Sequence, residues 1–427
     1  MITNNIEPIK KNSNNFIYPQ YDKNCISNIP NVILDLFGAK NEKSKSSIGD
    51  KIEKTGCEKI NKIVLLVIDG FGFSQFLNHY KENRFLTDLT IRGEVFPLTS
   101  VFPSQTTNAL TTLNTGLTPQ EHGLFEYSIY LKDIGVVNSL RFERVYSKRR
   151  NKLTEEGFDP KILFNGKTIH SILKENGINT FTHMYISNAY SACSKLIFEG
   201  SVIVSSLKSS DLIVNLRKTL EKSAGKTYFF VHIDSLDTIA HEYGPLSYEY
   251  YAELSGISYL LNKELVEKID QKTAKETLIL MTADHGAVNI VPKETIYLNW
   301  FPKAMDNLQC GKDRKHILPI GSPRDVFLHI KNEKLTETRE LLSRKIGKKA
   351  QIIETKEAIK NGLFGLGDAS NEFLERTGNL LILPYRNESI WFERSEGKKM
   401  NFMGYHGGLN EKEMLVPFAM ANLHNLK

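Results

Sequence analysis

Ile63-Val-Leu-Leu-Val-Ile-Asp-Gly-Phe-Gly72 is the stretch that decides the fold. Its first half is a continuous apolar run rich in β-branched residues, bounded by Lys62 on one side and by Asp69-Gly70 on the other. Such a run reads as a buried central strand in a sheet covered on both faces. Similar runs recur at Thr227–Ile233 and Thr277–Thr282, and each is followed at once by Asp-containing polar residues. Helical patterns lie between them, over Thr168–Asn176 and Tyr248–Lys268. Alternating strand and helix predict an α/β sandwich. In open sheets of this kind ligands sit beyond the carboxyl ends of the strands, so three polar strand ends nominate one site.

Outward from this centre the texture changes. Residues 1–58 are rich in Asn, Lys and Ser at both ends, with an apolar piece at Ile29–Phe37. They predict an arm packed on the domain and ending in a polar linker, Lys40–Lys54. The core is expected to occupy 59–286 and 394–427. Between them, 287–393 mixes Lys-rich helical stretches (Lys334–Gly347, Thr355–Asn361) with short strands (Val326–Ile330, Gln351–Glu354), which predicts a smaller α+β insertion acting as a cap.

Composition is that of a globular protein: 427 residues, 41% hydrophobic and 24% charged. The formal net charge of +6 is spread along the chain, which suits an anionic small-molecule substrate without implying a nucleic-acid polymer. Cys25, Cys57, Cys193 and Cys310 are far apart and form no CxxC pair, as expected of reduced thiols. No run approaches the roughly 18 apolar residues of a membrane span, and the first residues lack the apolar core of a signal peptide. A cytoplasmic protein is the expectation. Oligomeric state is not legible.

Five short motifs carry chemistry. Asp69 ends a strand and precedes Gly70-Phe71-Gly72, where a carboxylate is well held for a cation. Next, Thr99 to Gly116 forms a hydroxyl-rich turn entering a small-residue helix, with Thr106 and Thr107 in its first turn. A hydroxyl there lies at the positive end of the helix dipole, which favours an alkoxide and an incoming phosphate. Asp237 and His241 stand four apart on one predicted helix face, within reach of one metal ion. Asp284-His285-Gly286 follows a strand, and His406 sits in Gly404-Tyr-His-Gly-Gly408. The set mixes imidazole and carboxylate, as zinc or manganese sites do.

In order and spacing these blocks resemble the alkaline phosphatase superfamily, and within it the type I phosphodiesterase/nucleotide pyrophosphatase family. The resemblance spans Ile63 to Phe418. It implies a three-layer α/β/α sandwich around a mostly parallel sheet, and a hydrolase acting on small phosphoesters through two divalent metal ions, zinc or manganese. One metal would take Asp69, Thr106, Asp284 and His285, the other Asp237, His241 and His406. The family's threonine nucleophile lies nine residues before the Thr of a Thr-Gly pair preceding Leu-x-Pro-x-x-His-Gly. Counting back from Thr115-Gly116 gives Thr106, with Thr107 and Ser104 as alternatives. The family's phosphoryl-binding Asn is absent after His122-Gly123, and Tyr127 stands in that region. Tyr127, Thr107 and Arg324 are the substrate-binding candidates, Arg324 by reaching down from the cap. His122 reads as a structural residue of its turn. A phosphomonoesterase or metal-dependent phosphomutase of the same superfamily is the nearest rival, and a catalytically silent binding module the more distant one.

Overall fold

Strand β1 (Lys62–Ile68) is buried at every residue and lies at the middle of a seven-stranded sheet in the computed structural model. The structure describes residues 9, 11–39, 60–147, 149–164, 166–395, 397 and 399–427. The predicted linker Lys40–Lys54, and Cys57, lie outside them. The remaining strands of the sheet are β2 (Glu94–Thr99), β3 (Asn179–Tyr185), β4 (Val202–Ser206), β5 (Thr227–Ile233), β6 (Thr277–Thr282) and β7 (Leu415–Asn422). Their order is β2-β7-β6-β1-β5-β3-β4. Every pair is parallel except the two made by β7. The three apolar runs read from the sequence are therefore β6, β1 and β5, side by side. All their residues are buried, which requires cover on both faces of the sheet.

Register brings the polar strand ends together. Ile68 pairs with Ile233 and Val67 with Thr282, so Asp69, Asp234 and Asp284 leave the sheet at one edge. The antiparallel β7 begins at that same edge, with Leu415 opposite Thr99. The turn after β2 and the residues before β7 are thus delivered to the same place.

The N-terminal apolar piece is a helix, Ile29–Phe37, which buries Ile29, Val32, Ile33, Leu34 and Phe37 in the main core. The helix at Tyr248–Leu260 continues through one wide turn at Leu261–Val266. Within the predicted insertion, Ile320–Ser322, Asp325–Leu328, Leu380–Pro384 and Ala350–Glu354 form an antiparallel four-stranded sheet. Helix Leu335–Ile346 packs on it around a separate apolar cluster that includes Val326, Leu342 and Ile382. A three-stranded sheet over Ser128–Arg144 was not expected from the sequence. Among the described residues no helix is long and apolar enough to cross a membrane.

Candidate metal centre

Asp69 follows β1 directly and is 2% exposed. His232, near the end of β5, holds its Oδ2 through Nε2 at 3.0 Å, leaving Oδ1 turned elsewhere. Asp284 accepts the N–H groups of Gly70 and His285 on Oδ1, at 3.1 and 2.9 Å. Gly70 has φ of +73°, and a Cβ there would lie 3.1 Å from Asp237. The positive φ and the close approach of Asp237 both favour glycine at this turn. Asp237 and His241 project from helix Ser235–Tyr243, with His241 Nε2 3.3 Å from Asp237 Oδ2.

The histidines share one arrangement. Nδ1 of His285 faces the Gly286 carbonyl at 3.0 Å, Nδ1 of His241 the Gly404 carbonyl at 2.9 Å, and Nδ1 of His406 the Ser104 carbonyl at 3.0 Å. A carbonyl only accepts, so each Nδ1 carries the proton. In its neutral form each ring turns an Nε2 lone pair inward, as metal-binding histidines do when a backbone carbonyl fixes the tautomer. Burial alone would lower His241, but the Asp237 carboxylate beside it outweighs burial and holds it above its ordinary value. Burial lowers His285 to about 4 and His406 to about 3, so both are neutral near pH 7. Their rings stack at 3.6 Å, and His406 Nε2 lies 3.2 Å from His241 Nε2.

The carboxylates show the matching pattern. Asp69 Oδ1, Asp237 Oδ1 and Asp284 Oδ2 are buried without a hydrogen-bond donor among the described residues. Burial pushes the Asp69 carboxyl well above the ordinary range, and the charges of Asp284 and Asp237 push it further. Asp284 is raised too, first by burial. Unpaired carboxylate oxygens facing imidazole lone pairs fit divalent cations, which satisfy both at once. Among the described residues two such groups are present, Asp69 with Asp284 and His285, and Asp237 with His285 and His406, each with ligand atoms within 4.8 Å of one another. His285 belongs to both and joins them into one centre.

Thr106 is the first residue of helix Thr106–Thr115, and its Oγ1 lies 3.1 Å from His285 Nε2. Ser104 is differently engaged: its hydroxyl donates to the Gly408 carbonyl at 2.9 Å and accepts from the Gly407 N–H at 3.1 Å. Thr107 is 1% exposed. A cavity of about 380 Å³ opens over the cluster, lined by Asp69, Thr106, Thr107, Tyr127, Asp237, His241 and His406 among the residues named from the sequence. Asp284 and His285 are fully buried behind it.

One expectation is overturned. Arg324 is 0% exposed and spends its guanidinium on Glu413 and on two backbone carbonyls, so it does not reach into the cavity. A charge so deep must be paired where it lies, and Glu413 is the partner. His122 is held in its own turn: Leu124 N–H donates to Nδ1 at 3.0 Å, and Nε2 lies 3.1 Å from Thr112 Oγ1.

Sequence reading missed several residues of this wall. His232 was visible only as a polar residue inside an apolar strand. Asp234 lines the cavity, takes a hydrogen bond from Asn188 at 2.8 Å and is raised by burial to about 6. Glu126, beside Tyr127, is pushed up by burial to about 8, and Asp325, lying against it, is raised as well. Nothing in the order of residues signalled that pair.

A mostly parallel sheet with a buried Asp/His centre at its carboxyl edge is the arrangement that the resemblance to the alkaline phosphatase superfamily implies. More narrowly, the chain belongs to the type I phosphodiesterase/nucleotide pyrophosphatase family, a family of phosphoric ester hydrolases whose model matches residues 63–409. It is similar in fold to murine ectonucleotide pyrophosphatase/phosphodiesterase 5, with a TM-score of 0.60 and 15% identity, over 84% of this chain and 87% of that one. The same murine protein as an inactive threonine-to-alanine variant in complex with AMP matches with a TM-score of 0.60 and 15% identity, over 84% and 88%. The human counterpart gives 0.59 and 17%, over 84% and 87%. A short segment of 73 residues is 38% identical to GPI ethanolamine phosphate transferase 1 of Yarrowia lipolytica, spanning 16% of this chain and 8% of that protein.

Proposed function

We propose that the chain is a metal-dependent phosphodiesterase that works through a phosphothreonine at Thr106. The observation that carries this reading is the Thr106 hydroxyl, 3.1 Å from a neutral His285 and beside carboxylate oxygens that lack donors. Asp69, Thr106, Asp284 and His285 would hold one divalent cation, and Asp237, His241 and His406 the other, zinc or manganese. When bound, the two ions supply positive charge that offsets the phosphoryl oxygens and lowers the hydroxyl pKa.

The chain's own part follows from its geometry. Thr106 Oγ attacks phosphorus in line, forming an O–P bond as the bond to the leaving alcohol breaks. Its place at the first position of a helix puts backbone N–H groups and the helix dipole next to the phosphoryl group. Water then cleaves the phosphothreonine and frees the hydroxyl. The half-buried Tyr127 ring, and Thr107, line the cavity where the phosphoryl oxygens and the organic group would sit. The murine relative, inactive with alanine in place of a threonine and in complex with AMP, supports a threonine-dependent step and a nucleotide-like organic group. A cytoplasmic location belongs to the same proposal; Cys25, Cys193 and Cys310 are free thiols, and cell fractionation tests it.

The test is hydrolysis of bis(4-nitrophenyl) phosphate against 4-nitrophenyl phosphate, with zinc or manganese and after chelation. Thr106→Ala should lower kcat by at least about 1,000-fold, the scale expected for loss of a covalent nucleophile. Turnover of the variant at the wild-type rate would reject the assignment. A preference for the monoester would favour the phosphomonoesterase reading.

A further inference from the structure

Arg324 stands in the tight turn between Ile320–Ser322 and Asp325–Leu328, on the insertion. Its guanidinium is always charged, and both it and Glu413 are 0% exposed. Nε donates to Glu413 Oε1 at 2.9 Å and Nη2 to Oε2 at 2.8 Å, a bidentate pair. The remaining donors reach the carbonyls of Glu388 and Arg386.

Glu413 passes this anchoring to both histidine loops. Its carboxylate accepts the Gly408 N–H at 3.0 Å and the Asn410 N–H at 3.3 Å, just beyond His406. Its backbone carbonyl accepts the Gly286 N–H at 2.8 Å, and the Gly286 carbonyl is the acceptor that fixes His285 Nδ1. The same turn presses on the His406 loop from a second side. Ser322 Oγ meets Asp325 and lies 3.4 Å from the His406 carbonyl. A Cβ on Gly407 would come within 2.6 Å of Asp325 Oδ1, Gln105 Nε2 and Ser322 Oγ.

A buried ion pair adds little net stability by comparison with apolar packing of the same volume. What this one adds is geometry: one rigid fork behind two imidazoles whose lone pairs must converge. We infer that Arg324, with Glu413, is a positioning residue that fixes His285 and His406 from behind, making the insertion part of the scaffold of the metal centre. This rests on the reading of the Asp/His groups as a metal site.

Arg324→Lys keeps the charge and loses the fork. In the full-length metal-free protein, the Nδ1–H signals of His285 and His406 are observed by NMR; zinc affinity is then measured by competition with a chromogenic chelator. The variant should keep wild-type circular dichroism, lose or broaden both signals, and bind its weaker zinc at least tenfold less tightly. Arg339→Lys, which loosens the Arg339–Glu354 pair elsewhere in the insertion, should change neither readout. If Arg324→Lys does not fold, Glu413→Gln is measured by the same criteria. Unchanged signals and zinc affinity overturn the inference, as does an equal loss in Arg339→Lys. Should the wild type bind no zinc while the Nδ1–H signals still respond to Arg324→Lys, the positioning role stands and the metal-dependent function falls.

Discussion

Replacing Asp69 by Asn should stabilise the metal-free protein and destabilise the metal-loaded one. The ligand atoms of Asp69, Asp284 and His285 lie within 4.8 Å of one another. Two like charges at that separation repel by about 3 kcal/mol at an effective dielectric constant of about 20. The folded chain bears this cost as repulsion or as a proton held by a carboxyl whose pKa is raised by burial and by its neighbours. Asp69→Asn removes the charge and keeps a polar partner for His232, so the metal-free variant should gain about 1–3 kcal/mol at pH 8. Zinc at 100 times its dissociation constant should add about 2.7 kcal/mol per site to the wild type and far less to the variant, which lacks a charged ligand. Urea unfolding followed by circular dichroism, with chelator and with zinc, should therefore show the order of stability reversing. If the variant is the less stable protein in chelator, and zinc shifts both equally, these carboxylates were not gathered around a cation.

Glu126→Gln should flatten the alkaline limb of stability. The Glu126 carboxyl is raised in the folded state from 4.5 to about 8, so its contribution is full below about pH 4.5 and is lost as pH rises through 8. Urea midpoints at pH 6 and pH 9 should differ less in the variant, and an unchanged difference would refute the assignment. Gly407→Ala should cost about 1–3 kcal/mol in backbone strain alone, since φ is +121° there. It should also weaken zinc binding through His406, which the chelator competition reads; wild-type affinity would show that the loop has room to give.

Much of the fold was legible because apolar runs that end in Asp-Gly, Asp-Ser or Ala-Asp-His can be little else than buried strands feeding an edge. β1, β5 and β6 were found in this way, and the helical patterns at Thr168–Asn176 and Tyr248–Lys268 correspond to helices Ile169–Glu175 and Tyr248–Leu260, whereas helix Ser209–Lys222 was not read. The sheet over Ser128–Arg144 was not found, because its strands are short and their pattern is weak. Arg324 was misjudged for a related reason. An Arg in a Gly-Ser-Pro-Arg-Asp turn looks exposed, and its partner Glu413 is 89 residues away. His232 escaped because a histidine within an apolar run resembles any buried polar residue until Asp69 is placed opposite it.

By itself the sequence determined the residue types and their order: strand, carboxylate, hydroxyl helix, Asp-x-x-x-His, Asp-His-Gly and a late His, which suffice for the family because each is local. Tertiary structure alone decided convergence. Parallel register set Asp69, Asp234 and Asp284 at one edge, and an antiparallel last strand returned His406 to them. Backbone carbonyls chose which nitrogen of each histidine carries its proton. The His241 and His406 contacts join residues 163 and 302 positions apart, while His285 meets the adjacent Gly286, and the burial of all three exists only once distant segments meet.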